Sequence, residues 1–376
     1  MRRLLIQPLD VLMFRSERPF ISVESHVAKL GIISPLTFEG ALKSKIFSES
    51  LNGDYTFGDF QRKKKENEKE FKERIKEIIK GDKKLKKTLN VIGHPAVTSE
   101  SLIQVFGVFL FKGTEWLPAP NDIVKIKEKN EISKLNPIIK KEFKIPREEI
   151  YACFSNHSKI ESISGLISFD NIKMYLKGAK PRNSWIKDEQ PYLKEPRTGI
   201  KIKEGIKRSK EGYLYSAEFL RLKEGWSFSI WYQSPVEVPE GIIKLGGENR
   251  GATSTKIEDK ELSGVFKKIV EEINRDGKFK IYLATPSYFG GYKPPKDMLM
   301  EILGVDHLKL VSALPGKPIY IGGYDFARNK EKPLKRWVNS GAVYYYKFEG
   351  KIQNIELPLK LIEEDIEMRC AFIGRW

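Results

Sequence analysis

Residues 3–14 read RLLIQPLDVLMF, and residues 34–47 read SPLTFEGALKSKIF. The first stretch is mostly apolar and predicts a largely buried strand. The second opens with Ser34-Pro35, a good N-cap followed by proline at the first helical position. From Phe38 onward its apolar residues recur at i+4 spacing, which predicts a helix with one apolar stripe on a core.

The alternation of strands and helices continues along the chain. Residues 102–111 and 113–119 predict a strand pair, and 213–222 and 226–235 predict two strands joined by a Glu224-Gly225 turn. Other apolar runs predict further elements: a strand, loop and strand over 241–257, a helix over 262–273, and strands at 280–289, 308–314, 317–325 and 341–349. Because strand, helix and strand pair recur in both halves, we predict the α+β class, with two sandwiches of an antiparallel sheet and helices on one face.

Two stretches carry mostly charged residues. Residues 61–88 contain 13 basic and 6 acidic side chains, and only Phe71, Ile75, Ile78 and Ile79 offer a helical stripe. They predict an exposed helix inserted between core elements, with a merely solvated helix as the alternative. Residues 121–150 look irregular.

Charge points to a polyanionic partner. Lys and Arg number 67 against 50 Asp and Glu, a formal net charge of +17 over 376 residues. Nucleic acid is the main expectation, and an anionic membrane or a solvated lysine surface are the alternatives.

The compartment is predicted from the thiols and the first residues. The two cysteines, Cys153 and Cys370, make neither a disulfide framework nor a zinc site, which fits a reducing compartment. The N-terminal apolar run is broken by Gln7, Pro8 and Asp10, so no signal peptide is expected. No stretch approaches the roughly 20 apolar residues of a membrane span. We therefore expect a cytoplasmic protein without cofactor or metal.

A glycine-rich loop lies at Leu245-Gly246-Gly247-Glu248-Asn249-Arg250-Gly251. Glycines allow a phosphate to approach the backbone, and Arg250 could add a bidentate contact. The spacing is neither a P-loop nor a dinucleotide fingerprint. An ordinary tight turn is the competing interpretation.

Two more candidate RNA contacts follow from basic residues. Arg15 and Arg18 leave the first strand and could clamp a backbone, or pair structurally with Glu17; Ser25 and His26 come just after. Between 175 and 210 the chain contains several prolines and glycines and predicts a loop or long hairpin. Its basic and aromatic side chains suit a single strand, although a solvated loop is also possible: Lys180, Arg182, Trp185, Arg197, Lys201, Lys203, Lys207 and Arg208.

Six segments together resemble subunit three of the Cmr effector complex of CRISPR type III-B, a family of the RAMP superfamily. The resemblance runs from Pro8 to about Lys347 and leaves out 61–88 and 121–150. Its segments are PLDVLMFRSERPF, ESHVAKLGIISPLTFEGALKSKI, RTGIKIKEGIKRSKEGYLYSAEFLRL, LGGENRGA, TPSYFGGYKP and IGGYDFARNKEKPLKRWVNSGAVYYY.

The resemblance implies two tandem ferredoxin-like (RRM-type) domains, which we place at 1–258 and 259–376. It also implies that the glycine-rich loop contributes to RNA binding and that a hairpin, for which 175–210 is the candidate, acts as a thumb. The subunit would cap the 5′ tag of the guide RNA (crRNA) beside the large polymerase-type subunit and the first backbone subunit. Neither a homo-oligomer nor membrane binding is expected.

The resemblance implies a non-catalytic subunit. The alternative is a metal-independent endoribonuclease that processes CRISPR repeat RNA, with His26 as general base and Arg15, Arg18 or a loop lysine stabilising the phosphate. No partner for His26 is placed by spacing, and a lone histidine is usually structural. We therefore expect no enzyme activity.

Overall fold

The computed structural model describes most of the chain and divides it into two compact units. The described residues are 1–14, 27–51, 53–98, 100–129, 131–137, 153–155, 159–182, 184–202, 209–259, 263–353, 355–363 and 365–376. The first unit comprises Met1–Val108, Pro191–Asp259 and Ile321–Leu334, and the second comprises Phe109–Gln190, Lys260–Tyr320 and Lys335–Trp376.

Helices occur in both units. They are α1 (Pro35–Ser48), α2 (Glu68–Ile78), α3 (Lys83–Ile92), α4 (Phe169–Leu176), α5 (Ser263–Asp276) and α6 (Lys296–Leu303), with 3₁₀ turns at Phe57–Phe60 and Gly247–Asn249. No helix among the described residues is both long and apolar enough to cross a bilayer.

Strands form most of the regular structure. The first half of the chain contributes β1 (Arg2–Pro8), β2 (Val27–Ala28), β3 (Gln104–Lys112), β4 (Thr114–Pro118), β5 (Ile123–Ile126), β6 (Glu131–Lys134), β7 (Asn136–Pro137), β8 (Cys153–Phe154), β9 (Ile160–Ser162), β10 (Leu166–Ser168) and β11 (Trp185–Ile186). The remainder are β12 (Tyr192–Ile202), β13 (Ser209–Leu222), β14 (Ser227–Gln233), β15 (Gly241–Lys244), β16 (Gly251–Ile257), β17 (Lys278–Leu283), β18 (Ser287–Tyr288), β19 (Val305–Leu314), β20 (Ile319–Asp325), β21 (Lys330–Trp337), β22 (Val343–Gly350), β23 (Leu359–Glu363) and β24 (Ile366–Gly374).

The sheet of the first unit is centred on β1, which is antiparallel to β14 on one side and to β16 on the other. The strand order is β15-β16-β1-β14-β3. Helix α1 follows β1 in the chain and packs on this sheet, with the ring centroid of Phe38 5.3 Å from that of Phe228. The predicted cap is confirmed, because the Ser34 hydroxyl accepts from the Leu36 amide.

The second unit has a sheet of similar order, β18-β24-β17-β22-β19. Its central strand β17 is antiparallel to β24 and to β22, and α6 joins β17 to β19. Aromatic rings fill the core beside it: Phe266 and Phe372 stack with centroids 5.5 Å apart. The mixture of helices with antiparallel sheets agrees with the predicted α+β class.

A small helical module, formed by residues 53–98 of the first unit, replaces the single exposed helix predicted over 61–88. The helical conformation is interrupted at Gly81, whose φ is +103°. Asp82 then caps α3, since its carboxylate accepts from the Leu85 amide over 2.8 Å. Phe71 and Ile75 are fully buried in a cluster with residues of α3. The predicted apolar stripe therefore belongs to a packed core, and the merely solvated alternative is wrong.

Three other local predictions are corrected. The first strand ends at Pro8 rather than at residue 14, because the chain beyond it turns from the sheet to β13, where Leu12 bridges Leu220. Part of the stretch 121–150 is regular, since β5 and β6 pair with each other; residues 138–150 lie outside the described residues. The strands predicted over 213–222 and 226–235 exist, but β13 and β14 enter different sheets.

The sequence predicted one domain boundary, whereas each of the two observed units is built from three separate segments of the chain. One boundary, between Asp259 and Lys260, lies next to the predicted junction of 1–258 and 259–376. The others fall where three segments of each unit alternate along the chain.

Candidate nucleic-acid interface

Residues 9–14 leave the sheet after β1 and pack against β13. The Leu12 N–H donates to the Leu220 carbonyl over 2.9 Å, and the Leu12 carbonyl accepts from the Leu220 N–H over 2.8 Å. Buried side chains from both segments form a cluster that we call the anchor cluster: Val11, Met13, Ala217 and Phe219. It fixes the strand exit against the base of the β12–β13 hairpin.

The glycine-rich loop is the turn of the β15–β16 hairpin. The Leu245 N–H donates to the Arg250 carbonyl over 2.8 Å and closes the turn. Glu248 (φ 57°) and Asn249 (φ 51°) adopt left-handed conformations at its tip. The tight-turn interpretation therefore describes the backbone, and any ligand role depends on what surrounds it.

Two glycines attach this turn to residues 9–14. The Gly247 N–H donates to the Met13 carbonyl over 2.7 Å. At Gly246, φ is +76°, and a Cβ atom would lie 2.4 Å from the same carbonyl oxygen. Only glycine fits this position, so the sequence requires close packing of the turn on the strand exit.

Arg250 is held in place by an aromatic ring and a carboxylate. Its guanidinium lies 4.8 Å from the ring centroid of Phe219, within cation–π distance. Its Nη2 donates to Glu248 Oε2 over 2.7 Å. Its Nε is buried without a hydrogen-bond partner in the described part of the chain. The side chain is thus preorganised, with donor capacity left over.

Arg197 takes part in an ion-pair network. Its guanidinium contacts Glu195 at 2.6 Å and Asp10 at 3.1 Å, and Arg221 contacts the same two carboxylates at 2.6 and 2.8 Å. Hydrogen bonds from Arg197 and Arg221 lower the pKa of Asp10, and hydrogen bonds from Arg221 and Arg197 lower that of Glu195. These charges balance, so Arg197 ties the hairpin base to residues 9–14 rather than standing free for RNA.

Three segments that are distant in sequence therefore meet: residues 9–14, the glycine-rich loop and the base of the β12–β13 hairpin. Phe14 is the last described residue before the gap, and Val27 after it pairs in parallel with Ser216 of β13. The described residues on either side of this gap, Phe14 and Val27, thus belong to this assembly. The predicted contacts Arg15, Arg18, Ser25 and His26 themselves lie outside the described residues.

The basic segment 175–210 does not form one element. Its first part belongs to the second unit, where Lys180 pairs with Glu131 at 3.8 Å and Arg182 is exposed. There Trp185 is half-buried in β11, with the Lys125 ammonium 5.9 Å from its ring centroid. The first unit resumes at Pro191, and Tyr192–Ile202 form strand β12 there.

A hairpin exists with other bounds than 175–210: β12 and β13 pair from Tyr192 with Leu222 to Ile202 with Ser209, so its second strand runs beyond the predicted stretch. The 11 residues of β12 give this arm a length of about 35 Å. Lys201 lies on β12, and its side chain is outside the described set, as are residues Lys203, Lys207 and Arg208.

The described residues contain no group of three or more His, Cys, Asp or Glu side chains that could hold a metal ion. Cys370 is buried and Cys153 half-buried, and both are free thiols. Burial raises the pKa of the Cys153 thiol to about 11, so it is not a poised nucleophile.

The family model of the CRISPR-associated protein family Cas_Cmr3 matches residues 4–369. The chain belongs to this family. The resemblance inferred from the six sequence segments is thereby confirmed at the level of the family. No curated protein matches the chain in sequence.

Solved structures similar to this member of the Cas_Cmr3 family come from CRISPR effector complexes. One chain of a type III-B Cmr-beta complex bound to cognate target RNA and AMPPnP is 18% identical, with a TM-score of 0.47 over 91% of this chain and 86% of that chain. A chain of a Csm3–Csm4 subcomplex from a type III-A interference complex is 14% identical, with a TM-score of 0.36 over 100% and 99%. Because the sequence identities and TM-scores are this low, the assignment to the family rests on the family-model match alone.

Sequence reasoning on this Cas_Cmr3 family member missed the groups that hold Arg250 and Arg197. Phe219 was visible only as an apolar residue of a strand, and the pairing of Asp10 with Arg221 joins residues far apart in the chain. Alternation in YLYSAEFLRL could have placed Phe219 on one face of β13. Nothing local indicates which cation that face would meet.

Proposed function

We propose that this protein is a non-catalytic RNA-binding and scaffolding subunit of a cytoplasmic type III-B CRISPR effector complex. It binds the 5′ tag of the guide RNA and docks the large polymerase-type subunit and the first backbone subunit. The observation that carries the proposal is the convergence of the glycine-rich loop, residues 9–14 and the β12–β13 hairpin in a member of the Cas_Cmr3 family. The net charge of +17 supports a polyanionic ligand.

The proposed fold is a pair of ferredoxin-like domains. In the first unit the chain order is β1, α1, β3, β14 and β16, and the spatial order of the strands is β16-β1-β14-β3. In the second unit β17, α6, β19, β22 and β24 follow in sequence, with the spatial order β24-β17-β22-β19. Both sets have the fourth strand beside the first and the third between first and second, which is the split βαβ arrangement of that fold.

In RNA binding, the Arg250 guanidinium would exchange its ion pair with Glu248 for a contact to an RNA phosphate. The Phe219 ring fixes the plane of the guanidinium, so a phosphate that displaces Glu248 meets a fork already oriented for bidentate contact. Gly246 and Gly247 seat the loop on the Met13 carbonyl, so the contact to phosphate falls to the Arg250 guanidinium. The guide sequence itself goes unread, because base pairing performs that task.

The test compares RNA with the tag against RNA with the tag scrambled. Arg250→Ala should reduce the affinity for tagged RNA about fivefold or more, because one charge-assisted contact to a phosphate is lost. Arg250→Lys should recover only part of it, since a lysine lacks the planar fork. Arg275→Ala, which removes an exposed cation from α5, is the matched control. Equal affinity for tagged RNA in all four proteins, measured by fluorescence anisotropy, would reduce the loop to a structural turn.

The absence of catalysis is a separate part of the proposal. A general base requires a positioned nucleophile and a group that stabilises developing charge. In a single-turnover time course with excess full-length protein over labelled repeat RNA, we expect no defined cleavage product. Defined cuts that disappear in His26→Ala would replace the scaffold proposal with the repeat-processing nuclease.

A further inference from the structure

The β20–β21 hairpin ends in a tip that is fixed to the helical module. The Arg62 N–H donates to the Ala327 carbonyl over 2.8 Å. Arg328 bridges Asp325 at 3.1 Å and Glu68, the first residue of α2, at 2.8 Å. The tip, residues 325–329, is therefore built into the first unit.

This hairpin exposes aromatic and aliphatic side chains. Tyr324 is 52%, Phe326 49% and Leu334 51% exposed. The Phe326 ring is anchored edge to face on Phe57, at a centroid distance of 5.7 Å, and Tyr324 donates through its hydroxyl to Asn329. Rings that are both fixed and exposed offer faces for stacking at little entropic cost.

Five exposed lysines belong to the two segments that meet at the tip. Lys63, Lys64 and Lys65 follow directly on Arg62, and Lys330 and Lys332 lie on β21; all five are exposed. Within the part of the chain that the structure describes, none of them forms an ion pair. The arginines close by are different, since Arg62 and Arg328 both contact Glu68.

Hydrogen bonds from Arg74 of α2 fix the loop that carries the three consecutive lysines. The Arg74 guanidinium donates to the carbonyls of Asp59 and Gln61 and to the carboxylate of Glu66. The hydrogen bond from Arg74 lowers the pKa of Glu66 to about 2, so this anchor stays ionised over the working pH range. Lys63–Lys65 are consequently presented at a fixed site beside the tip.

We propose that this tip surface, comprising Lys63, Lys64, Lys65, Tyr324, Lys330 and Lys332, is a second binding site for single-stranded RNA. Bases would stack on Tyr324 while the lysines take the phosphates. Excess positive charge beside isolated rings favours a polyanion over a protein helix, which would need a broader apolar stripe. The inference goes beyond the proposed tag site, because it uses different residues and no tag sequence.

The test uses full-length protein and a labelled oligouridylate that lacks the tag. Tyr324→Leu should weaken binding on the order of 5- to 100-fold, the range for one stacked base, whereas Tyr324→Phe should stay within about twofold. The double variant K64Q/K65Q should lower the slope of log affinity against log salt by about 1.4. Its matched control is K267Q/K268Q, which removes two exposed lysines from α5.

Each outcome decides the matter. Unchanged oligouridylate binding in Tyr324→Leu, or an equal loss in K267Q/K268Q, would overturn the proposal. So would Tyr324→Leu losing a partner subunit in pull-down while RNA binding persists, since the surface would then be a protein dock. A native protein without any preference for tagged over scrambled RNA would overturn the tag site alone, whereas the Tyr324→Leu result on oligouridylate bears on the tip surface alone, so the two failures are distinguishable.

Discussion

Gly246 is the residue on which the glycine-rich loop depends. Its backbone, at φ 76° and ψ −162°, lies in a region that is nearly confined to glycine, and the Met13 carbonyl occupies the place of a side chain. We expect Gly246→Ala to lower the free energy of unfolding by at least about 2 kcal/mol. Chemical denaturation followed by circular dichroism measures it.

Gly40→Ala is the control for that experiment. Gly40 lies within α1, and a Cβ there would meet nothing within 4 Å. Alanine should raise stability by about 0.5–1 kcal/mol, because glycine is a poor helix former. Equal effects of the two substitutions would contradict the close packing of the loop.

A second residue-scale feature is a buried carboxyl in the second unit. Asp122 is fully buried and accepts hydrogen bonds from the hydroxyls of Tyr175, at 2.9 Å, and Tyr345, at 2.5 Å. Lys280 is also fully buried, with its ammonium group 3.2 Å from the ring centroid of Tyr175, and burial lowers its pKa. Burial, reinforced by Asp122, raises the pKa of both tyrosines.

The tyrosines predict a loss of stability in alkali. Above pH 10, their ordinary pKa, the unfolded chain releases protons that the folded protein retains, so the free energy of unfolding falls as pH rises. Lys280 has the opposite effect below pH 10.5: there the free energy of unfolding rises with pH, because the unfolded chain binds the lysine proton more tightly than the folded protein does.

Tyr345→Phe tests this at one position. It should cost about 1–3 kcal/mol at pH 7, because the buried carboxyl loses a donor, and it should make the alkaline decline shallower by one proton. Urea unfolding across the alkaline range measures both, with the exposed Tyr320→Phe as control. An unchanged pH slope would show that Tyr345 does not retain its proton.

At the scale of elements, the helical module depends on His94. This buried ring lies 5.6 Å from the Phe71 ring, and its Nδ1 accepts from the Ala96 N–H, which leaves Nε2–H to donate to the Phe60 carbonyl. Burial lowers the pKa of His94 below its ordinary 6.5. The stability that this supplies is present above pH 6.5 and is lost as pH falls below it, because only the unfolded chain then takes up a proton.

We expect hydrogen-exchange protection of α2 and α3 to decrease between pH 7.5 and about 5.5, by at most about 1.4 kcal/mol per pH unit. His94→Gln should remove this dependence, since an amide can donate to Phe60 without titrating. Peptides of α5 serve as the internal control. A module equally protected at both pH values in the native protein would refute the role assigned to His94.

Elements were predictable where the signal is local. The cap and stripe of α1, the β3–β4 hairpin and α5 follow from residues a few positions apart. The break at Gly81 was overlooked although its signal is local, whereas the burial of Phe71 depends on α3. Whether β13 pairs with β12 or β14 depends on contacts that no periodicity encodes, and the same holds for Phe219 beneath Arg250.

At the scale of the molecule, the interleaving of the two units could not be read from sequence. Each strand of the β20–β21 hairpin contains a unit boundary. The segment Ile321–Leu334 between these boundaries belongs to the first unit, where Arg328 contacts Glu68 of α2, more than 200 positions earlier in the chain. The order of motifs predicted the family, because motif order is a property of the chain. Which segments share a core is a property of long-range packing, which one sequence does not display.

The whole-molecule prediction concerns salt. A chain with net charge +17 should bind any single-stranded RNA through counterion release, so its affinity should fall on the order of 10- to 1,000-fold between about 50 and about 200 mM salt. The preference for tagged over scrambled RNA should stay nearly constant over that range, because contacts to base edges are not screened as phosphate contacts are. Arg250→Ala and K64Q/K65Q both remove phosphate contacts, so each should flatten the slope and leave the preference intact. Anisotropy titrations of both RNAs at several salt concentrations measure the two quantities independently. If K64Q/K65Q lowered the preference for tagged RNA as well as the slope, the tip surface and the glycine-rich loop would form a single RNA site, and assigning separate roles to them would be wrong.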